Sequence, residues 1–349
     1  MIDHSTYITA SDIIKNKTSD TPSAAVININ SICNLRCEFC WIHSPLNKKR
    51  SVKQTIPLAS IKKNIDQLNN LGVKFISLSG DGEPWMHPYI CEIIGYIQNR
   101  KINFRITTNF TFKKEKIRLA FAKANLIDIN FSAPTPRLYQ KIHSPQNNNS
   151  YINVLKNLKI YTELYRKKQF PLLEINYIIT ASNYLYIDDM LKLADDFGIP
   201  NIRFRILDVT KYTKKLLLGR NEIISFKAII KKIFKKKYKV KNNLTAIYRY
   251  LGKNGSINFM LDRCFIGWMK ISLECNGNIG FCCQNDKLII GNWERDSIKS
   301  SWLSRKASLL RLKAKNEFDL KKSFWQNCIF CCDEERNKKI DLLLKKFSR

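Results

Sequence analysis

The sequence predicts an α/β protein that combines a parallel sheet of six strand–helix units with a small cysteine-rich C-terminal domain. Three observations support this fold class: β-rich runs alternate with helical patterns from about residue 24, the pattern changes after Leu207, and the cysteines gather in short clusters. Strands that alternate with helices are joined by right-handed crossovers and form parallel sheets. Six units are too few for a closed eight-fold barrel, so an open partial barrel and a doubly wound sheet are the alternatives.

The strand–helix units follow one another in order along the chain. Apolar residues recur at helical spacing over residues 61–71, which follow Pro57 and stop at Gly72, and over residues 190–197, which stop at Gly198. In either architecture, ligands collect at the carboxyl ends of the strands. The six runs with strand composition are AVININ (25–30), FISLSG (75–80), FRITTN (104–109), LIDINFS (126–132), LLEINYIIT (172–180) and NIRFRIL (201–207).

These patterns divide the chain into an N-terminal arm (1–23), the strand–helix core (24–208), a basic helical linker (209–258) and the cysteine-rich domain (259–349). No run reaches the ~18–20 apolar residues that a membrane-spanning helix needs, so no transmembrane segment is predicted. The polar N-terminus lacks the apolar segment of a secretory signal. Clustered cysteines in a chain without such a signal indicate metal ligation in a reducing compartment, and we expect a cytoplasmic protein.

The chain is strongly basic, with a formal net charge of +31. Residues 211–241 hold twelve basic side chains and one acidic residue, Glu222, and their apolar positions fit one face of a helix. This segment is a candidate site for an anionic partner such as nucleic acid, a lipid surface or a phosphorylated substrate. The alternative is a surface helix with solvated lysines, in a chain that uses Lys, Ile and Asn heavily throughout.

A loop after the first strand contains three cysteines, in the stretch SICNLRCEFCWIH. Cys33, Cys37 and Cys40 have no fourth cysteine nearby, because the next one is Cys91. A structural zinc site normally closes with four protein ligands. Three thiolates on a four-iron cluster leave one iron free to chelate a substrate or cofactor. A zinc knuckle with a distant fourth ligand is the alternative.

The C-x3-C-x2-C spacing, with Phe39 before the last cysteine, resembles the signature of the radical S-adenosylmethionine (SAM) superfamily. The resemblance implies a partial (β/α)6 TIM-like barrel, with a 4Fe–4S cluster on Cys33, Cys37 and Cys40 whose free iron chelates SAM. It also implies reductive cleavage of SAM to a 5′-deoxyadenosyl radical, which abstracts hydrogen from the substrate. The electron donor that the resemblance implies is a flavodoxin or ferredoxin.

Three further strand ends match motifs of this superfamily. SGDGEP (79–84) resembles its Gly-Gly-Glu-Pro motif, which holds the methionine ammonium, although Asp81 stands where the family often has glycine. The strand ends TTN (107–109) and FSAPTP (131–136) lie where the family often contacts the cofactor, and plain turn residues are the alternative there. The cofactor-binding residues that the resemblance implies are Phe39, Gly80, Gly82, Glu83, Pro84, Asn109 and Ser132.

A second cysteine group has the spacing C-x12-G-x4-C followed by CIFCC, which resembles the SPASM and twitch domains that hold auxiliary four-iron clusters. Gly277 lies where a hairpin must turn tightly. The resemblance implies one auxiliary 4Fe–4S cluster, and a zinc ribbon on the same thiolates is the alternative. The implied ligands are Cys264, Cys282, Cys328 and Cys331, with Cys283 and Cys332 as alternatives to their neighbours.

The sequence therefore predicts a radical SAM oxidoreductase or maturase, whose auxiliary cluster accepts or conducts an electron. The expected substrate is a small molecule such as an alcohol or sugar, or a ribosomally made peptide, although the residues before the first strand are too few for a leader-binding domain. The alternatives are a zinc-binding, cysteine-rich nucleic-acid-binding protein and a radical SAM enzyme acting on RNA. Arg203, Arg205 and Asp208 end the sixth strand. A salt bridge is expected for Asp208, with proton transfer as its alternative role.

Overall fold

The computed structural model describes residues 13, 20–47, 53–147, 149–207, 212–252, 254–257, 261, 263–282, 285–328, 331 and 333–347. Over these residues the strands form one sheet in the order β10-β9-β8-β1-β2-β3-β4-β5-β6-β7. The strands are β1 (Ala24–Asn28), β2 (Phe75–Ser79), β3 (Asn103–Thr108), β4 (Leu126–Asn130), β5 (Leu172–Ile179), β6 (Asn201–Ile206), β7 (Lys241–Asn242), β8 (Lys270–Leu273), β9 (Asn278–Gly280) and β10 (Ile289–Asn292).

The first six strands lie side by side in chain order and all pair in parallel. The two edge strands of the sheet, β7 and β10, do not pair with each other, so the sheet is open. The predicted α/β fold with a partial barrel is therefore confirmed. All six strands end one or two residues before the predicted runs do. Asn30, Asn109 and Ser132, which lie just beyond the ends of β1, β3 and β4, belong to the site described below.

Helices alternate with these strands and supply the other half of the core. They are α1 (Leu58–Asn70), α2 (Ile90–Asn99), α3 (Glu115–Phe121), α4 (Pro136–His143), α5 (Ser150–Lys168), α6 (Ile187–Phe197), α7 (Arg220–Ile233), α8 (Leu244–Tyr250), α9 (Ile266–Met269), α10 (Ile298–Leu303), α11 (Arg305–Asn316) and α12 (Glu334–Phe347). In the described part of the chain, no helix is both long and apolar enough to cross a membrane.

Each central strand places apolar side chains on one face and polar ones on the other, because successive side chains alternate. Ile76, Ile106, Ile127 and Ile175 are fully buried in one core with apolar side chains of the helices. Most of the alternate positions on β3 to β6 are charged or polar, and they line the interior of the partial barrel. This interior is the space that the strand-end motifs surround.

The C-terminal strands extend the same sheet, which the sequence did not predict. Strand β8 pairs in parallel with β1, and β9 and β10 follow as antiparallel strands. All four residues of β8 are buried, which fits a strand covered on both faces. The pairing places the auxiliary cysteine region directly beside the strand that leads into the three-cysteine loop. The limits of the four predicted segments stay predictions.

Candidate functional site

The three-cysteine loop is docked on the end of α4. The backbone N–H of Arg36 donates to the carbonyl of His143 (3.1 Å), and the N–H of Glu38 donates to the carbonyl of Ile142 (2.8 Å). Within the loop, the N–H of Leu35 points at Cys33 Sγ (3.5 Å) and the N–H of His43 at Cys40 Sγ (3.2 Å). Hydrogen bonds to sulfur of this kind stabilise thiolates that bind iron.

The chemistry of the donor set fits an iron–sulfur cluster. Burial raises the pKa of all three thiols, that of Cys33 to about 12. Charge on the neighbouring cysteines adds to the shift at Cys33 and Cys37, and charge on Asp81 adds to it at Cys40. The thiols are therefore protonated when no metal is bound, and metal binding must release these protons. In the described residues, no group of three or more Cys, His, Asp or Glu surrounds one single-ion position. In a four-iron cluster, by contrast, each thiolate binds a different iron.

The SGDGEP turn follows β2 and lies against the start of the cysteine loop. The N–H of Gly82 donates to the carbonyl of Asn30 (3.0 Å), and the N–H of Glu83 to the carbonyl of Ile32 (2.8 Å). His43 Nε2 donates to the carbonyl of Asp81 (2.8 Å), because a carbonyl only accepts. The two motifs that the sequence singled out first are thus hydrogen-bonded to each other.

The carboxylate of Glu83 is buried and ties this turn to the end of β3. It accepts hydrogen bonds from Thr108 Oγ1 (2.6 Å), from the N–H of Asn109 (2.6 Å) and from the N–H of Trp85 (3.4 Å). Burial raises its pKa to about 7, although these three donors favour the ionised form. Pro84 opens a short 3-10 helix with Glu83 as its N-cap. A contact between Glu83 and a methionine ammonium stays a prediction.

Asn109 and Ser132 are both buried and use their polar groups within the protein. Asn109 Nδ2 donates to Asn34 Oδ1 (2.8 Å), and Asn109 Oδ1 accepts from Thr111 Oγ1 (2.7 Å). Ser132 Oγ accepts from the N–H of Ile178 (2.9 Å), which joins the ends of β4 and β5. These contacts fit positioning roles, and direct contact with a cofactor stays a prediction for both residues.

His143 is a site residue that the sequence did not reveal. Its ring is fully buried, with Nδ1 3.2 Å from Cys37 Sγ, and its Nε2 accepts from the N–H of Ser132 (3.1 Å). The predicted aromatic residue Phe39 meets the same ring edge-on, with centroids 5.8 Å apart. Burial lowers the pKa of His143 to about 3, so the imidazole is neutral. Because His143 lies 106 residues from Cys37 in the chain, no local sequence pattern links the two residues.

A network of ion pairs crosses the interior of the partial barrel. Asp128 lies between Arg105 (3.3 Å) and Arg203 (3.6 Å), and Arg203 also pairs with Glu174. Asp128 Oδ1 and Asn176 Oδ1 are buried and have no hydrogen-bond partner among the described residues. Buried polar atoms are normally satisfied, so these two indicate a ligand or water in the interior. Asp208, for which the sequence predicts a salt bridge with proton transfer as the alternative role, lies outside the described residues.

The auxiliary cysteines also lie among hydrogen-bond donors. Cys264, Cys282 and Cys328 are buried, and the pKa of Cys264 is raised to about 12 by burial, with charge on Cys328 among the further causes. Asn285 Nδ2 donates to Cys328 Sγ (3.5 Å), and Asn337 Nδ2 to Cys331 Sγ (4.0 Å). Gly277 turns the β8–β9 hairpin with φ of +93°, as its predicted role requires. The two alternative ligands, Cys283 and Cys332, lie outside the described residues.

Comparison with known proteins defines the class of this protein. Residues 27–163 match the family model of the Radical SAM superfamily, so the chain has a radical SAM domain. Together with the enzymes to which the chain is similar, this match supports an enzyme with a radical SAM domain, and this domain family implies a 4Fe–4S cluster and SAM. The predicted superfamily is therefore confirmed.

Particular relatives extend the similarity beyond this domain. The chain is 26% identical to GTP 3′,8-cyclase of Aquifex aeolicus over 312 residues, which are 83% of this chain and 92% of that protein. It is 23% identical to the mycofactocin maturase MftC of Mycobacterium tuberculosis over 51% of this chain and 43% of that one. The fold resembles Streptococcus suis SuiB bound to its precursor peptide SuiA (TM-score 0.66, 19% identity), over 92% of this chain and 72% of that chain.

Proposed function

We propose that this protein is a peptide-modifying radical SAM enzyme. Cys33, Cys37 and Cys40 hold the 4Fe–4S cluster in this proposal, and the turn from Gly80 to Pro84 lies beside bound SAM. The cluster and SAM together supply a 5′-deoxyadenosyl radical that abstracts hydrogen from the substrate. A flavodoxin or ferredoxin as electron donor stays a prediction.

The chain's own residues hold the two binding motifs in fixed relation. Asn30 is central, because its carbonyl accepts from the N–H of Gly82 and its Nδ2 donates to the carbonyl of Glu83 (3.1 Å). Its Oδ1 accepts from the N–H of Ile32 (3.1 Å) at the start of the cysteine loop. Movement of the SGDGEP turn would therefore break hydrogen bonds with the cysteine loop. These hydrogen bonds hold the two motifs at a fixed position relative to each other.

The single observation that supports a peptide substrate is the ion pairing of the arginines in the interior network. Two arginines, Arg105 and Arg203, are paired with two carboxylates, Asp128 and Glu174. A nucleoside triphosphate needs surplus positive charge, whereas peptide N–H and carbonyl groups need neutral or paired partners. The buried Oδ1 of Asn176, which has no hydrogen-bond partner among the described residues, suits a peptide N–H donor. The maturase MftC and the peptide-bound SuiB agree with this substrate class.

Nucleotide cyclisation is the second candidate, because the similarity to a GTP 3′,8-cyclase extends over most of both chains. Both candidates use hydrogen abstraction at the same cluster. They differ in the substrate that the interior must accept.

We further propose one auxiliary 4Fe–4S cluster, held by Cys264, Cys282, Cys328 and Cys331. The side-chain amides of Asn285 and Asn337 donate toward two of these sulfurs and fit thiolate ligands. In this proposal the auxiliary cluster accepts or conducts the electron that leaves the substrate radical.

Formation of 5′-deoxyadenosine by the reconstituted protein tests the substrate class. Under anaerobic conditions with dithionite and SAM, short peptides encoded beside the gene should raise its rate above the background and change in mass. GTP should leave the rate at the background. Conversion of GTP to a cyclised product, with no response to any of these peptides, would overturn the peptide proposal in favour of the nucleotide candidate.

A variant pair tests the role of the interior. Asp128→Asn should raise the peptide KM, because it removes one carboxylate from the network and leaves Arg105 and Arg203 with surplus charge. Arg118→Gln on α3 is the control, since its contacts are with Asn157 and a carbonyl outside the interior. Equal peptide KM values for both variants and the wild type would contradict an interior binding site.

A further inference from the structure

We propose that His143 is a positioning residue that donates a hydrogen bond from Nδ1 to the Cys37 thiolate and thereby raises the reduction potential of the SAM-binding cluster. This inference rests on the cluster at Cys33, Cys37 and Cys40, and it is independent of the peptide substrate.

The tautomer follows from the contacts of the two ring nitrogens. The backbone N–H of Ser132 lies 3.1 Å from Nε2, and a backbone N–H only donates, so Nε2 has no proton. The imidazole is then neutral, because a doubly protonated ring cannot accept this bond. Its one proton is on Nδ1, 3.2 Å from Cys37 Sγ. The N–H therefore points at a lone pair of the sulfur.

The fold holds both partners of this bond in place. His143 is the last residue of α4, and its carbonyl accepts from Arg36 in the cysteine loop, next to Cys37. The Tyr139 ring lies against the imidazole at 4.5 Å, tilted by 34°, and Phe39 meets it edge-on. The imidazole is fully buried, so water does not compete for the donor. The bond is thus preorganised before any cluster is bound.

A donor of this kind favours the reduced cluster. Reduction adds negative charge that the cysteine sulfurs share, and hydrogen bonds to the sulfurs are among the factors that set cluster potentials. In a buried site of low dielectric constant, this stabilisation is stronger than in water. The donors to Cys33 and Cys40 are backbone N–H groups, whereas the donor to Cys37 is a side chain. Substitution can therefore remove this donor and keep the loop backbone intact.

A redox titration of the full chain, followed by electron paramagnetic resonance on the signal that SAM perturbs, measures the effect. His143→Phe removes the donor and keeps a ring. It should raise the ratio of oxidised to reduced cluster about tenfold at a fixed potential, a shift of ~59 mV to more negative values for a one-electron couple. His143→Asn, which keeps an N–H donor at a similar distance from the backbone, should recover most of this shift.

Tyr139→Phe is the packing control, because its buried hydroxyl has no hydrogen-bond partner among the described residues. It should leave the potential at the wild-type value. An unchanged potential in His143→Phe, with the iron content of the wild type, would overturn the proposal. The same holds if Tyr139→Phe and His143→Phe shift the potential equally.

A second measurement tests the proposal without any metal. Nitrogen-15 chemical shifts of the histidine rings in the metal-free protein report which nitrogen is protonated. We expect the Nδ1–H tautomer for His143. The His143 signals are assigned as those that disappear from the spectrum of the His143→Phe variant. An Nε2–H tautomer or a doubly protonated ring at neutral pH would overturn the proposal, even if the Phe variant failed to retain iron.

Discussion

At the scale of single residues, Gly82 and Gly95 differ in the space around them. A Cβ at Gly82 would collide with Asn30 Oδ1 and with the backbone of Ile32, whereas a Cβ at Gly95 in α2 has nothing within 4 Å. Gly82→Ala should therefore lower the free energy of unfolding by ~1–3 kcal/mol and weaken SAM binding at least tenfold. Gly95→Ala should be neutral or stabilise by up to ~1 kcal/mol.

Thermal unfolding and SAM titration of the reconstituted protein measure both variants. Similar behaviour of Gly82→Ala and Gly95→Ala would contradict the close approach of this turn to the cysteine loop.

Glu83 gives a pH-dependent prediction for the metal-free protein. Because burial raises its folded-state pKa from 4.5 to about 7, the folded chain keeps a proton that the unfolded chain releases in this window. The Glu83 contribution to stability therefore falls as pH rises from about 4.5 to 7, and it is constant above that range. Glu83→Gln cannot titrate. The free energy of unfolding of wild type minus variant should decrease between pH 5 and 8 in urea titrations.

A difference that is flat or increases with pH would contradict this account of Glu83. The comparison with the variant removes the contributions of other titrating groups.

The motif residues of the site could be predicted, but their neighbours could not. Cysteine spacing and the Gly-Glu-Pro frame are local patterns, and the structure places the two motifs in hydrogen-bond contact. Asp81 stands where the family often has glycine. Its backbone carbonyl accepts a hydrogen bond from His43, and its side-chain Oδ2 lies 3.6 Å from Cys275 Sγ. Cys275 and His143 are far away in the chain, so no local spacing marks them.

At the scale of elements, the six strand–helix units were predictable because each has its own apolar period. Strands β8 to β10 were not, because they have three or four residues each and β8 pairs with β1 at a separation of 246 residues, as between Ala24 and Lys270. A short buried run reveals neither its partner nor its direction. The basic helix was also predicted, and α7 buries the expected face of Ile223, Phe226, Ile230 and Ile233.

The basic segment 211–241 stays a candidate site for an anionic partner. In the described residues, Lys236 pairs with Asp188, and Lys227 bonds the carbonyl of Leu251. Beside the lysines, Ile224 and Phe234 are nearly half exposed. We expect low-salt binding to RNA or anionic liposomes that falls steeply with salt, since each neutralised phosphate releases counterions. Substituting Lys231, Lys232, Lys235 and Lys237 by Gln should flatten this salt dependence.

The control substitutes Lys156, Lys159, Lys167 and Lys168 on α5, which removes the same charge elsewhere. Equal salt slopes for the two variants, or no binding at low salt, would leave a solvated surface helix as the explanation.

At the scale of the whole molecule, the continuous sheet joins the radical SAM domain to the auxiliary region. Side chains reinforce the junction, since Ser23 Oγ donates to the carbonyl of Met269 (2.9 Å) and the N–H of Ile298 to Gln67 Oε1 (2.9 Å). Asp81 and Cys275 add a contact between the SGDGEP turn and the β8–β9 hairpin. Both cysteine groups therefore belong to one connected framework.

The most direct test of this account is the iron content of anaerobically reconstituted protein, together with its electron paramagnetic resonance spectrum with and without SAM. Two four-iron clusters predict about eight irons per chain and a SAM response in one signal only, because only the first cluster has an open iron. The Cys33→Ala, Cys37→Ala, Cys40→Ala triple variant should keep about four irons and lose that response. Zinc without iron, or a full complement of iron with no response to SAM, would contradict the central claim.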